Sequence, residues 1–357
     1  MRDPMTGTAA TTTVRAAGGD GEGLRLSLAF GAVLIGYSYL VGLWPSRHGT
    51  SPAVVVTIRE WVNLPLGIGE DFGMLGIGLL LIAFGYHAPR SLCRLGPARW
   101  GARLLVGGYL PYLLAVTLSW VLLLAGVRPL ADEGAAAQPV TAYLSTILLA
   151  DRLTGDAALL QVGWVVAACA LFAALLLATA FLLRVMPLVA LLAQLGVVAT
   201  ITVTAAGTSG WYAELGLLLV FLAYPLSGEV IWAARAGLIP GWAAVPLGAG
   251  CFALLVAGER AYPELAGWLY ALTLVYAVII TLIAMMRLPA AGSARITRWL
   301  ATRSYALLLL TGAAGYPFLS VLAGSAGLPL AAALPAALAV TAGAADLFVR
   351  SVRMVSP

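Results

Sequence analysis

Ten stretches of predominantly apolar residues, most of them close to twenty residues long, divide this 357-residue chain, and short segments between them hold nearly all its charge. Crossing ~30 Å of hydrocarbon takes about 20 apolar residues in a helix. Inside lipid every backbone polar group needs an internal partner, so a chain built from such runs folds as spanning helices. The runs predict an all-α, polytopic membrane helix bundle of about ten transmembrane helices. They lie near Leu26–Trp44, Ile68–Tyr86, Leu104–Gly126, Val162–Leu183, Val185–Ala206, Trp211–Ala233, Trp242–Ala257, Leu265–Met286, Tyr305–Leu322 and Leu330–Val349. Thr141–Ala150 is apolar but too short to span, and reads as interfacial or re-entrant. Only 10% of residues are charged and 62% are hydrophobic, whereas a soluble domain carries about 25% charged residues. The lipid bilayer is therefore the first expected partner.

The charges set the expected orientation. All twenty basic residues are arginines, a usage that with the Ala, Leu, Gly and Val bias points to a GC-rich bacterial genome and to a bacterial cell membrane. With the N-terminus inside, fifteen of them fall in cytoplasmic segments and five outside, the bias of the positive-inside rule, so both termini are expected in the cytoplasm. The same rule accounts for the net charge of +5; no basic stripe interleaved with aromatics suggests nucleic acid. Residues 1–24 are too poor in apolar content to order themselves and read as a cytoplasmic tail. Residues 25–350 form one transmembrane domain and 351–357 a C-terminal tail. Trp44, Trp61, Trp211, Trp242 and Trp268 sit near expected span ends, as interfacial aromatics do.

The most informative stretch is Asn63–Tyr112. Glu70 and Asp71 open a Gly-rich run, Arg90, Arg94, Arg99 and Arg103 follow in an expected cytoplasmic loop, and a second apolar run begins. Asp71 is a candidate base or hydroxyl acceptor; the plainer alternative is a charge capping a helix start. The arginines suit the phosphates of an anionic donor as well as topology. Glu229 lies inside the sixth run, where an ionisable group is a functional candidate; pairing with Arg235 is the plainer reading. Asp346 stands four residues before Arg350, an ion-pair spacing on a helix. His48 and His87 are read as loop residues, and with Cys93, Cys169 and Cys251 they give no metal-ligand spacing or disulfide framework.

Several local patterns resemble the acyltransferase-3 family of ten-helix bacterial membrane proteins. Gly69–Leu81 (GEDFGMLGIGLLL) looks like its second helix, and Arg99–Tyr112 like its basic loop leading into a Pro-Tyr-started third helix. Leu148–Leu176 looks like its outer loop and Trp-opened fourth helix. Tyr224–Ile239, Trp299–Leu310 and Ala345–Val352 look like its sixth, ninth and closing helices. The resemblance implies transfer of an acyl group from a cytosolic acyl-CoA co-substrate, with no bound cofactor, to a hydroxyl-bearing sugar, lipid or natural-product acceptor. It carries Arg25, Arg99 and Arg103 as donor-binding residues. The catalytic histidine of the first helix falls on Gly36, followed by Tyr37; the Ser of Ser-Gly-Phe falls on Ile77; the fourth-helix acids fall on Cys169 and Ala170; and the His after Ser304-Tyr305 becomes Thr311. The scaffold is kept and the acid–base set is not.

With those positions changed, Asp71 and Tyr37 are the candidate catalytic residues for proton handling. A phenol with a pKa near ~10 is a weak base at neutral pH, and acyl transfer to a hydroxyl needs a base within hydrogen-bond reach. Two other readings stand beside this one. The chain can be a non-acylating relative that acts as a translocator, lipid-binding or self-protection protein. It can also be a membrane enzyme turned to isoprenoid, terpene cyclase-like chemistry, with Asp71 as acid beside Phe72, although no Asp-rich diphosphate motif accompanies it.

Overall fold

The computed structural model describes residues 7–49, 51–69, 71–127, 129–265, 270–288, 291 and 294–355. Glu70 and Trp268 lie outside them. The described residues form helices and no strand, so the chain is an all-α bundle. Nine helices among them are long and apolar enough to cross a membrane: Gly21–Arg47, Gly73–Leu95, Pro97–Leu124, Gly163–Val185, Pro187–Ala205, Trp211–Arg235, Gly241–Ala261, Arg295–Ser325 and Leu330–Ser351. With the shorter apolar helix Tyr270–Met286 as eighth in chain order, each of the ten expected runs overlaps one of these helices. This is a multi-pass membrane protein. Large apolar side chains such as Phe181, Val203, Trp242 and Val245 are exposed on its outer faces, a pattern suited to lipid and costly in water.

Helical backbone begins at Gly7, ahead of the expected domain start at Arg25. The expected arginine loop is not a loop. Arg90 and Arg94 end the second helix, Arg99 and Arg103 begin the third, and the turn between them is Gly96, with φ +78°. Pro97 then starts the third helix, where its missing N–H costs nothing. The second helix runs through Pro89 to Leu95, well past the expected end at Tyr86.

The second and sixth helices form the buried centre. The second packs against the first, fourth, sixth and eighth, and the first against the ninth. Glycines allow the closest crossings. A Cβ on Gly85 would overlap the backbone of Pro225, and one on Gly228 the backbone of Ile82. Such small-residue contacts bring backbones together where lipid supplies no hydrophobic drive.

Prolines shape the helices in a regular way. Four of the five π-helical stretches among the described residues, Tyr37–Leu43, Arg59–Asn63, Leu105–Tyr109 and Thr311–Gly315, end two residues before a proline: Pro45, Pro65, Pro111 and Pro317; Ser320–Ser325 does not. A proline ring presses on the carbonyl four residues back, and a widened turn takes up the misfit. The sixth helix responds differently. It breaks at Phe221–Leu222 into Trp211–Val220 and Ala223–Arg235. Pro225 has no N–H for the Phe221 carbonyl, and Tyr224 bonds that carbonyl instead at 3.2 Å, tightening the turn.

Thr141–Ala150 folds back as expected of a non-spanning segment. The short helix Pro139–Ile147 lies against the third helix, whose Tyr112 and Tyr109 hydroxyls donate to the Thr146 and Ile147 carbonyls, both at 2.7 Å. Leu149, just beyond, has φ +57°, a strained conformation for a side chain branched at Cγ.

Candidate functional site

The five site residues expected from the sequence fall into two groups at opposite ends of the bundle. Tyr37 and Asp71 share one end. The Tyr37 ring stands 5.8 Å from that of Phe72, and its hydroxyl is within electrostatic reach of the Asp71 carboxylate. Asp71 Oδ1 accepts the backbone N–H of Gly73 at 2.7 Å, at the very start of the second helix. This is the plainer role of helix capping. Arg25, Arg99 and Arg103 lie at the other end and are exposed. The 23-residue second helix, about 35 Å of rise, separates Asp71 from Arg99 and Arg103, and Tyr37 stands twelve residues, about 18 Å, beyond Arg25 on the first. One reaction centre therefore does not hold the expected donor-binding and catalytic residues together.

The arginine-rich half holds a cavity of about 740 Å³. Its walls come from the second helix (Leu80, Phe84, His87), the third (Arg103 to Tyr109), the fourth (Val165 to Leu177) and the ninth (Ser304, Tyr305, Leu308). Leu149 of the folded-back segment also contributes to the wall. The fourth helix shows it Cys169, Ala170, Ala173 and Ala174, small residues at helical spacing that leave the space open. The lining is apolar apart from Arg103, His87 and a few hydroxyls. Leu105 and Leu177 on its rim are exposed, so the cavity opens sideways between the third and fourth helices. Of the five expected site residues only Arg103 reaches it.

His87 corrects the sequence reading. It is a helical residue of the second membrane span and it faces the cavity, with Arg25 and Arg90 within electrostatic reach. The expected span ended at Tyr86; the helix continues through Pro89 to Leu95. Ser304 stands just before the expected start of the ninth run at Tyr305, yet it lies nine residues into the ninth helix, buried, with its hydroxyl donating to the Ala301 carbonyl at 3.0 Å. Tyr305 donates to the Gly108 carbonyl at 2.9 Å, in the π-helical stretch where backbone partners are shifted. His48 caps a short helix, its ring stacked on Trp44 at 4.1 Å. The described residues hold no cluster of His, Cys, Asp and Glu able to bind a metal.

Two further polar sites stand outside the cavity: Asp151, unread in the sequence, and Glu229, read there as a candidate. Asp151 follows the folded-back helix and is 3% exposed, near Tyr112 and Gly163. Burial pushes its pKa up to about 6, because a charged carboxylate loses solvation there. Glu229 is fully buried and meets Gln194, which replaces the expected pairing with Arg235. The Asp346–Arg350 pair forms as its spacing suggests, at 2.6 Å, and Asp346 also binds Arg303 across to the ninth helix.

Comparison with protein-family models, with curated proteins and with solved structures finds no match for this chain. The reading of its function rests on the cavity and its walls.

Proposed function

We propose that this protein binds an amphiphile, a lipid or long-chain acyl compound, with its hydrocarbon in the cavity and its anionic head at Arg103. The observation that carries this reading is the cavity itself. At about 740 Å³ it lies in the range of small-molecule sites. It is walled by Leu, Val, Ala and Phe and opens sideways past Leu105 and Leu177, where a chain enters without crossing water. A guanidinium at one end matches a phosphate or carboxylate head. The test is cross-linking of a photoactivatable fatty acid to the full protein in nanodiscs. Labelled peptides from the fourth helix in the native chain, and their loss in Ala173→Phe, are expected. Equal labelling in that variant would count against the reading.

A second reading, acyl transfer from an acyl-CoA to a hydroxyl-bearing acceptor, is favoured by one observation: His87 lines the cavity. A histidine is the usual base for taking a hydroxyl proton near neutral pH, and Ser304 and Tyr305 stand in the same walls. In this reading His87 replaces Asp71 and Tyr37 as the proton-handling group. Release of CoA by the purified protein, abolished in His87→Ala, would support it. The isoprenoid reading placed its acid at Asp71, which stands away from the cavity.

A further inference from the structure

The second polar cluster lies outside the cavity, where the fourth, fifth, sixth and seventh helices meet. Glu229 and Gln194 are both 0% exposed. The Gln194 amide nitrogen donates to Thr179 Oγ1 at 2.7 Å and to Glu229 Oε1 at 3.3 Å. Two acceptor oxygens of this cluster, Glu229 Oε2 and Gln194 Oε1, are buried with no hydrogen-bond partner among the described residues. A carboxylate removed from water costs several kcal/mol unless it is paired, bound to a metal or protonated. Among the described residues no basic side chain forms an ion pair with Glu229, and no metal-binding cluster is present there.

The chemistry of the neighbours fits a proton that comes and goes. A primary amide donates through its nitrogen and accepts through its oxygen, so one rotation of Gln194 serves either a carboxylate or a carboxylic acid. The Thr179 hydroxyl is likewise donor and acceptor. An arginine or lysine at position 194 would have fixed Glu229 in its charged form. The titratable and charged groups around the site are few. The second helix brings Cys93 within electrostatic reach of Glu229, and the seventh brings Cys251, which Ser227 hydrogen-bonds. The fourth helix carries Arg184, hydrogen-bonded to Cys93, and Arg235 ends Glu229's own helix. The fifth offers only neutral side chains. Cys93 is exposed, and its electrostatic reach to Glu229 marks the arginine-rich end as the side nearer solvent.

We propose that Glu229 is a reversible proton-binding site inside the bundle, served by Gln194 and Thr179 and reached from the arginine-rich end past Cys93. The proton adds to a carboxylate oxygen, no other bond changes, and the source is water. This site is independent of what the cavity binds.

The test is infrared difference spectroscopy of the full chain in nanodiscs as pH steps from mildly alkaline to mildly acidic, in an Asp151→Asn background that removes the other buried acid. A carboxylic-acid carbonyl band is expected to grow on acidification and to be absent in Glu229→Gln. In Gln194→Leu, which removes the amide donor, its midpoint is expected to move up by about one pH unit. Should Glu229→Gln fail to fold, Glu229→Asp keeps the acid and is expected to keep the band with an altered midpoint. A band untouched by either Glu229 substitution, a Glu229 band constant across the range, or a midpoint that follows sodium concentration would each overturn the proposal.

Discussion

The hydroxyl of Tyr305, on the ninth helix, donates to the backbone carbonyl of Gly108, on the third, at 2.9 Å. It ties together two walls of the cavity just where the third helix is π-helical. Tyr305→Phe removes this bond and leaves the ring. A loss of about 1 kcal/mol of stability is expected, read as a lower unfolding temperature in detergent, with a looser cavity read as faster exchange of a bound fatty acid.

Arg103 is the cavity's cation, and Arg99, one turn earlier, is exposed and outside the lining. Arg103→Gln is expected to weaken binding of an anionic amphiphile by about tenfold, the worth of one charge-assisted hydrogen bond. Arg99→Gln is expected to leave it unchanged. Equilibrium titration with a fluorescent fatty acid distinguishes the two; equal losses would point to a diffuse surface field.

Asp71 caps the second helix through Gly73. Asp71→Ala is expected to cost about 1 kcal/mol of stability, and the Asp71→Ala, Tyr37→Phe pair to bind amphiphile, or to release CoA if that activity is found, as the native chain does. Thermal unfolding beside a binding assay reads both halves; loss of binding without loss of stability would restore these residues as a site.

Asp151 gives a pH dependence of unusual sign. Its pKa is raised from 3.8 to about 6 in the folded chain, so the folded state holds the proton more tightly than the unfolded one. The group favours folding below about pH 4, and this contribution fades as pH rises to about 6, a change of up to about 3 kcal/mol. Asp151→Asn is expected to flatten the unfolding temperature across that window. An unaltered slope in the variant would assign the effect elsewhere.

Gly85 has no room for a Cβ against Pro225, while Gly196 on the fifth helix has open space beside it. Gly85→Ala is expected to destabilise by several kcal/mol, as overpacking at a backbone contact does, and Gly196→Ala to be tolerated. Yield and monodispersity on gel filtration compare them.

The spans were legible because hydropathy alone selects a helix in lipid; even the folded-back segment followed from its ten-residue length. What failed were inferences drawn from single residues. Four arginines after Tyr86 read as a loop, but the helix continues through Pro89 to Leu95 and Gly96 alone turns the chain. His87 was therefore set aside, although it lines the cavity. Glu229 was matched to Arg235 by proximity along the chain, whereas its partner Gln194 comes from another helix, 35 positions away. The grouping of Tyr37 with Asp71 was readable because Tyr37 lies late in the first span and Asp71 opens the second, on the same side of the bundle. The separation of Asp71 from Arg99 and Arg103 was equally readable, being the length of one spanning helix.

The π-helical stretch at Leu105–Tyr109 has a mechanical consequence. A π turn stores one residue more than an α turn, so drawing that residue out would rotate whatever lies on one side of it by about 100° about the helix axis. Arg103 lies on one side and Pro111 on the other. A slip of one residue there would turn Arg103 about the helix axis relative to the far half of the helix, which Tyr112 fastens to Thr146.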